Sequence, residues 1–311
     1  MNPPKFIYLL GAGASCRTMP LAKDFRERFA QFHDFLGNHP SEKTVELMDS
    51  IKWLEFNSAS HATVDTFAKR LYLNGDVDQL KELKAGLSCY LLYEHANSGI
   101  DLRYDTFLAS ILEREHGRII FPPNLKILTW NYDMHFEVAF SFYYKEINRP
   151  PGVLFDDTRM SDYYIRVSDE MKARPVYSGE IASDDFCLIH LNGIAGGSNH
   201  KQPMLDIDNV REVPLVSSKV SSVNDKAKFL EWLGVKYSSL IEDSFLNFAW
   251  ETNSQKSTAV RDETMKHVQD AEIMVVIGYS FPFFNRKIDK KLIRSMEKLK
   301  KFICRIQTQP I

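Results

Sequence analysis

The sequence predicts an α/β protein in which buried parallel strands alternate with helices. Five short apolar runs indicate the strands, at 5–10, 125–129, 186–191, 272–278 and 302–306. These runs are too short and too continuously apolar for amphipathic helices. Between them apolar residues recur at helical spacing, so the pattern favours a parallel sheet with helices on its faces.

Length and composition indicate a globular chain that buries a core. The 311 residues suit one large α/β domain or two smaller ones, and we expect a single domain over 1–311. Apolar residues make up 44% and charged residues 26%. Lys and Arg total 39 against 41 Asp and Glu, so there is no overall positive field to hold a nucleic-acid backbone. Direct nucleic-acid binding is not expected.

The cysteines are scattered singly at Cys16, Cys89, Cys187 and Cys304. This spacing predicts neither a zinc site nor a disulfide framework, and it is typical of a reducing compartment. The first residues lack the profile of a signal peptide, and no stretch approaches the roughly 20 apolar residues that span a bilayer. We therefore expect a cytoplasmic protein with no membrane association.

Two segments depart from regular α/β alternation. From about 40 to 118 the apolar residues keep helical spacing, for example at Leu80, Leu83 and Leu87, which predicts a large helical insertion. From about 150 to 185 aromatic, charged and turn-forming residues follow no clear period. We interpret this second segment as an insertion of uncertain structure.

Small or polar residues follow four of the predicted strands at their carboxyl ends. The segments are 11–15, 129–133, 190–193 and 278–281. Ligands of open parallel sheets bind just beyond the carboxyl ends of the strands. We therefore expect the four segments to converge on one crevice.

Two glycines, Gly11 and Gly13, directly follow the first strand. A glycine turn lets backbone N–H groups approach a pyrophosphate, and a helix N-terminus behind it favours the negative charge. The full G-x-G-x-x-G spacing is not met, because Cys16 occupies the third position. Dinucleotide binding is one interpretation, and a purely structural strand–helix corner is the other.

The other strand ends also have two interpretations each. Asn131 and Asp133 could cap a following helix. In the other interpretation Asn131 presents its amide to a ribose or a water, while Asp133 accepts hydrogen bonds from an amide or orients its neighbours. His190 could be a hydrogen-bonded core residue or a general base, with Asn192 on the same face of the strand. The segment 278–280 could contact an adenosine or form a simple turn.

Taken together and in this order, the segments GAGAS at 11–15, TWNYD at 129–133, HLNG at 190–193 and GYSF at 278–281 resemble the sirtuin superfamily. The closer likeness is to its sirtuin-like branch in bacterial anti-phage systems, whose members hydrolyse NAD. The resemblance covers most of the chain and implies a Rossmann-like sheet. A protein deacetylase is disfavoured, because isolated cysteines cannot supply its structural zinc and Trp130 stands where Gln is usual.

The resemblance implies cleavage of the bond between nicotinamide and ribose, with NAD as substrate and no metal. It implies catalytic roles for Asn131, Asp133 and His190, and NAD contacts from Gly11, Ala12, Gly13, Ser15, Asn192, Gly278, Tyr279 and Ser280. In the family the general-base histidine directly precedes the glycine, where this chain has Asn192. His190 lies two residues earlier, and we predict it to be the base. Whether His190 or Asn192 occupies the base position stays open.

An unrestrained NAD hydrolase would exhaust the cell's cofactor, so the resemblance also implies a gated effector of anti-phage defence by NAD depletion. A separate activating or regulatory protein, a homo-oligomer or a small nucleotide would supply the gate. Two alternatives stay open. One is a catalytically silent module that senses NAD or a related nucleotide and regulates a partner, and the other is a sirtuin-type deacylase without zinc.

Overall fold

The computed structural model describes residues 3–115, 118–120, 122, 124–136, 138–139, 143, 187–195, 223–244, 246–251 and 255–305. Its strands are β1 Phe6–Leu10, β2 Glu113–Glu115, β3 Arg118–Ile120, β4 Leu125–Thr129, β5 Cys187–His190, β6 Ile273–Ile277 and β7 Lys301–Arg305. Its helices are α1 Phe25–Asn38, α2 Val45–Ser58, α3 Val64–Asn74, α4 Val77–Ser98, α5 Leu102–Ile111, α6 Val223–Glu242, α7 Gln255–His267 and α8 Arg286–Ser295. The predicted second insertion at about 150–185 lies outside the described residues.

Five strands form one parallel sheet in the order β5-β4-β1-β6-β7, which confirms the α/β prediction. The strands end level with one another, because Leu10 pairs with Thr129 on one side and with Ile277 on the other. Thr129 in turn pairs with His190. The four polar segments therefore leave the sheet at the same edge. A separate antiparallel pair is formed by β2 and β3.

Burial along the sheet explains the apolar runs of the sequence. Every residue of β4 is buried, including Lys126, whose Nζ donates a 2.8 Å hydrogen bond to the main-chain oxygen of His267. The edge strand β7 is exposed throughout. Strands covered on both faces are apolar at nearly every position, whereas an edge strand carries charges.

The two faces of β1 contribute to different apolar cores, as alternation along a strand requires. Ile7 and Leu9 pack in the core that contains Leu292 of α8. Tyr8 and Leu10 belong to the core that contains Leu108 of α5. Helices therefore cover both faces of the sheet.

A third core lies among α1 to α4 and α6. Tyr90 of α4 is fully buried there, and its ring lies edge-on to Phe29 with centroids 4.6 Å apart. The helical spacing of the sequence is thus realised in α2 to α5. Among the described helices, none combines the length and apolar character needed to cross a bilayer.

Candidate functional site

The turn after β1 is held against the turn after β6 by main-chain contacts. Gly11 N donates to the oxygen of Ile277 at 3.0 Å, and Gly13 N donates to the oxygen of Gly278 at 2.9 Å. A Cβ on Gly13 would lie 2.8 Å from Cα of Gly278. Gly278 itself has φ of +62°, a conformation that favours glycine. Close approach of two strand ends therefore explains these glycines.

The backbone amides of this turn are bonded within the protein. A three-residue 3-10 helix, Ala12–Ala14, follows it, and the first long helix, α1, begins only at Phe25. The amides of Gly11, Gly13, Ala14 and Ser15 all donate to main-chain oxygens of the protein. These four amides are not available to a pyrophosphate in this conformation, and no long helix dipole stands behind them.

Ser15 is the centre of a buried hydrogen-bond network below the turn. Its Oγ donates to Oδ2 of Asp133 at 2.8 Å and lies 2.8 Å from the hydroxyl of Tyr104. Nδ2 of Asn131 donates to the main-chain oxygen of Gly11 at 3.0 Å and to Ser15 Oγ at 3.3 Å. The network fixes the predicted Asn131 and Asp133 against the glycine turn.

We name one cavity at this edge of the sheet the acidic cavity. It measures about 500 Å³, within the range of small-molecule sites. Its polar lining includes Asn131, Asp133, Asn192, Ser280 and Asp65, and its aromatic lining includes Phe25, Trp130, Tyr132, Phe248 and Tyr279. Among the described residues, no Lys, Arg or His lines it.

His190 is the last residue of β5 and Asn192 lies in the turn that follows, and the two side chains have different surroundings. Nδ1 of His190 lies 3.2 Å from the main-chain oxygen of Asn131, and His190 does not line the acidic cavity. Asn192 does line it, and its Nδ2 donates to the hydroxyl of Tyr132 at 3.4 Å. Its Oδ1 is buried with no hydrogen-bond partner among the described residues. A buried acceptor in this state is costly unless a ligand or a water satisfies it.

Asp65 is a residue of the cavity that the sequence analysis missed. It lies in the first turn of α3, where Thr63 Oγ1 accepts a hydrogen bond from Thr66 N at 3.2 Å. Asp65 lines the cavity and is only partly exposed, and desolvation by burial raises the pKa of its carboxyl to about 6. The only local signal is a Thr-Val-Asp helix start, which is common and says nothing of a cavity.

The second cavity, which we name the arginine cavity, measures about 460 Å³. Its wall contains Gly13 and Gly278, so Gly278 lines both cavities. Three cationic side chains line it, from Arg17, Arg103 and Arg305. Aromatic rings come from Tyr8, Tyr104, Phe107 and Phe136, and no carboxylate lines it among the described residues. Arg103 is partly neutralised, because its Nε donates to Oδ1 of Asp101 at 2.9 Å.

His95, Asp133 and His135 place possible metal-ligand atoms within 4.8 Å of one another. Hydrogen bonds account for this cluster instead. Met134 N donates to Nε2 of His95 at 3.0 Å, Asp101 N donates to Nδ1 of His135 at 3.4 Å, and Asp133 Oδ1 accepts from His135 N at 3.3 Å. Burial lowers the pKa of His95 to about 3 and that of His135 to about 4, so both rings are neutral at physiological pH. The lone pair of each neutral imidazole therefore accepts a hydrogen bond from a main-chain N–H.

Comparisons of this chain with family models, with curated proteins and with solved structures return no match. The likeness to sirtuins therefore stays a resemblance carried by four short segments. A functional assignment depends on the geometry and charge of the two cavities.

Proposed function

We propose that this protein is an NAD hydrolase that cleaves the bond between nicotinamide and ribose, giving nicotinamide and ADP-ribose. The observation that carries the proposal is that two ligand-sized cavities of opposite charge share one wall residue, Gly278. NAD has the matching distribution of charge, with a cationic nicotinamide ring at one end and an anionic pyrophosphate in the middle. We also propose that the sheet is Rossmann-like and that 40–118 is a helical insertion in it.

The acidic cavity suits the nicotinamide riboside half of NAD. Its aromatic side chains, including Trp130 and Tyr132, offer flat apolar walls to a planar ring. The buried Oδ1 of Asn192 is an acceptor suited to a carboxamide N–H or a ribose hydroxyl. Both side-chain hydrogen bonds of Asn131 use its Nδ2, so its Oδ1 can accept one from the attacking water.

The arginine cavity suits the pyrophosphate and adenosine half. Guanidinium groups form strong, charge-assisted hydrogen bonds to phosphate oxygens, and Arg17 and Arg305 stand in its wall. Tyr8 and Phe107 offer rings against which an adenine can pack. We therefore replace the assignment of the pyrophosphate to the amides of 11–15, since four of those amides are already bonded.

Charge development in the reaction fits the acidic half. As neutral nicotinamide departs, positive charge grows on the ribose in an oxocarbenium-like transition state. A carboxylate held in place before the reaction stabilises that charge without reorganisation, and Ser15 Oγ holds Asp133 in this way. His190 stays our predicted proton acceptor, and it contacts the site through the main chain of Asn131.

A product analysis tests the proposal. The purified chain would be incubated with NAD over a range of protein concentrations, alone and with co-encoded proteins, because we expect a partner or self-assembly to gate it. Chromatography should show nicotinamide appearing together with ADP-ribose, free or cyclic. Equilibrium binding of NAD with no product under any of these conditions would reject hydrolysis.

Binding of NAD without product is the result expected of the alternative function, a silent NAD-sensing module. One observation favours it specifically. The side chain that lines the cavity from the turn after β5 is that of Asn192, an amide that does not accept a proton near neutral pH, whereas His190 does not line the cavity. A sensor would keep the binding groups and need no base.

A further inference from the structure

Asp65 lines the acidic cavity, and its carboxyl group has no hydrogen-bond or ion-pair partner on another described residue. Apart from a contact with its own main chain, it accepts no hydrogen bond from the described residues, and none of them forms an ion pair with it. It belongs to α3 rather than to the strand ends, so neither sheet topology nor the sirtuin-like segments account for it. A desolvated carboxylate left in this state destabilises the fold.

The surroundings of Asp65 have the composition of a site for an aromatic cation. Phe25, Trp130, Tyr132 and Phe248 line the same cavity, and aromatic faces attract cations through their quadrupole. No cationic side chain among the described residues lines the cavity and competes for the carboxylate. Asn192 lines the same cavity, and its buried Oδ1 is an independent acceptor with no hydrogen-bond partner among the described residues.

The other carboxyl of the cavity is in a different situation. Asp133 accepts hydrogen bonds from Ser15 Oγ at 2.8 Å and from His135 N at 3.3 Å, so each of its two oxygens has a partner in the protein. Asp65 has no such partners on other described residues, and a cationic ligand would supply one. The carboxyl of Asp133 is therefore bound by the protein itself, whereas that of Asp65 is left for the ligand.

We propose that Asp65 makes the acidic cavity bind the cationic, oxidised nicotinamide ring in preference to the neutral dihydronicotinamide ring. The inference rests on the proposed function, in which NAD is the ligand, and it deepens it by naming the redox form. Asp65 is a specificity-determining residue, because it discriminates two rings of nearly the same shape by charge alone. An enzyme built in this way would consume NAD and spare NADH.

Binding titrations test this without requiring turnover. The full chain would be titrated at pH 7.5 with the carbocyclic analogue of NAD, which keeps the cationic ring but is not hydrolysed, and with NADH. We expect the native protein to bind the analogue about tenfold more tightly or better, since a partly screened charge contact corresponds to about that ratio. Asp65→Asn should bring the two dissociation constants to within about threefold of one another.

Asp78→Asn is the matched control. Asp78 also lies in the first turn of a helix, α4, but its side chain is fully exposed, so the substitution removes the same charge and the same helix-dipole contact. This variant should keep the native preference. If Asp65→Asn fails to fold, Asp65→Ser removes the same charge with a smaller side chain, and 1-methylnicotinamide against nicotinamide serves as a second probe pair.

The outcomes separate this inference from the proposed function. A folded Asp65→Asn or Asp65→Ser that keeps the native preference would overturn the role of Asp65, even if NAD is hydrolysed. Native protein that prefers the oxidised ring through Asp65 yet releases no nicotinamide under any condition of the product analysis would support the inference and reject hydrolysis. Native protein that binds neither ring form would overturn both.

Discussion

Asn131 and Gly11, 120 positions apart in the sequence, are joined by a 3.0 Å hydrogen bond from the side-chain Nδ2 of Asn131 to the main-chain oxygen of Gly11. This contact ties the end of β4 to the glycine turn after β1. It also fixes the orientation of the amide, with Nδ2 toward the protein. The same side chain is thus part of the fold and part of the acidic cavity.

Asn131→Ala should lower the rate of nicotinamide release by about 100-fold or more while NAD binding weakens much less, because a contact to the attacking water is strongest in the transition state. It should also lower the free energy of unfolding by about 1–3 kcal/mol, since Gly11 and Ser15 lose a buried donor. Single-turnover kinetics, NAD titration and urea unfolding measure the three effects. Asn57→Ala, in α2 and away from both cavities, is the control. A folded Asn131→Ala that turns over at the native rate would remove the assignment.

His190→Ala and Asn192→Ala, assayed side by side, separate proton transfer from binding. We expect His190→Ala to lower kcat with little change in KM, and Asn192→Ala to weaken NAD binding, because Asn192 Oδ1 is the buried acceptor left for a ligand. If neither substitution changes kcat, the base lies elsewhere and the silent sensor gains support.

Arg305→Ala should raise the dissociation constant of ADP-ribose by about tenfold, as expected for the loss of one charge-assisted contact to phosphate. The affinity should also become less sensitive to salt, because one screened charge pair is gone. Lys301→Ala removes a cation at the other end of the same exposed strand and should leave the affinity unchanged. Calorimetric titration at two salt concentrations measures both properties. Equal weakening by the two substitutions would indicate a general charge effect and argue against a phosphate site in the arginine cavity.

Gly278→Ala should be strongly destabilising, by about 3 kcal/mol or more, because the residue has positive φ and the added methyl meets packed main chain. The new Cβ would lie 2.2 Å from Ala14 N. Gly37→Ala is the matched control in α1, where a Cβ meets nothing within 4 Å, and it should be neutral or stabilising by about 0.5–1 kcal/mol. Thermal and urea unfolding of the two variants check the contrast. Equal stabilities would mean that the two glycine turns do not pack as described.

The central sheet was predictable because its strands appear in the sequence as short apolar runs. The run at 125–129 corresponds to β4, Leu125–Thr129, since a strand buried on both faces is apolar regardless of its partners. The meeting of the four polar strand ends also followed, because parallel strands place their carboxyl ends at one edge. The placement of Asn192 did not follow from alternation, because β5 ends at His190 and a turn follows, with Gly193 at φ of +75°.

The groups that give the two cavities their charge could not be predicted from the sequence. Arg17, Arg103 and Arg305 come from three distant segments, and only the folded chain brings them into one wall. Asp65 comes from a helix whose local pattern shows only an ordinary N-terminus. Such residues follow no recognisable spacing in the sequence, because their proximity depends on how helices pack across the sheet edge.

Asp65 should also influence stability in a pH-dependent way. Its pKa is raised from 3.8 to about 6 by burial, so the folded protein binds this proton more readily than the unfolded chain does. Its contribution to the free energy of unfolding therefore falls as the pH rises from about 4 to about 6, and stays low above that. Asp65→Asn removes the charge and should stabilise the protein by about 1–2 kcal/mol at pH 7.5, a value reduced for partial exposure, and by little at pH 4.

Urea unfolding of the native protein, Asp65→Asn and Asp78→Asn at pH 4 and pH 7.5 measures this difference. Other titrating groups cancel, because each variant is compared with the native chain at the same pH. Asp78→Asn removes a fully exposed carboxylate and should not stabilise the protein at either pH. A stabilising effect of Asp65→Asn only at the higher pH would show a carboxylate that the fold tolerates at a cost, as expected for a group retained for a ligand. Destabilisation by Asp65→Asn at pH 7.5 would instead mean that the protein itself satisfies the charge, and the specificity role would lose its basis.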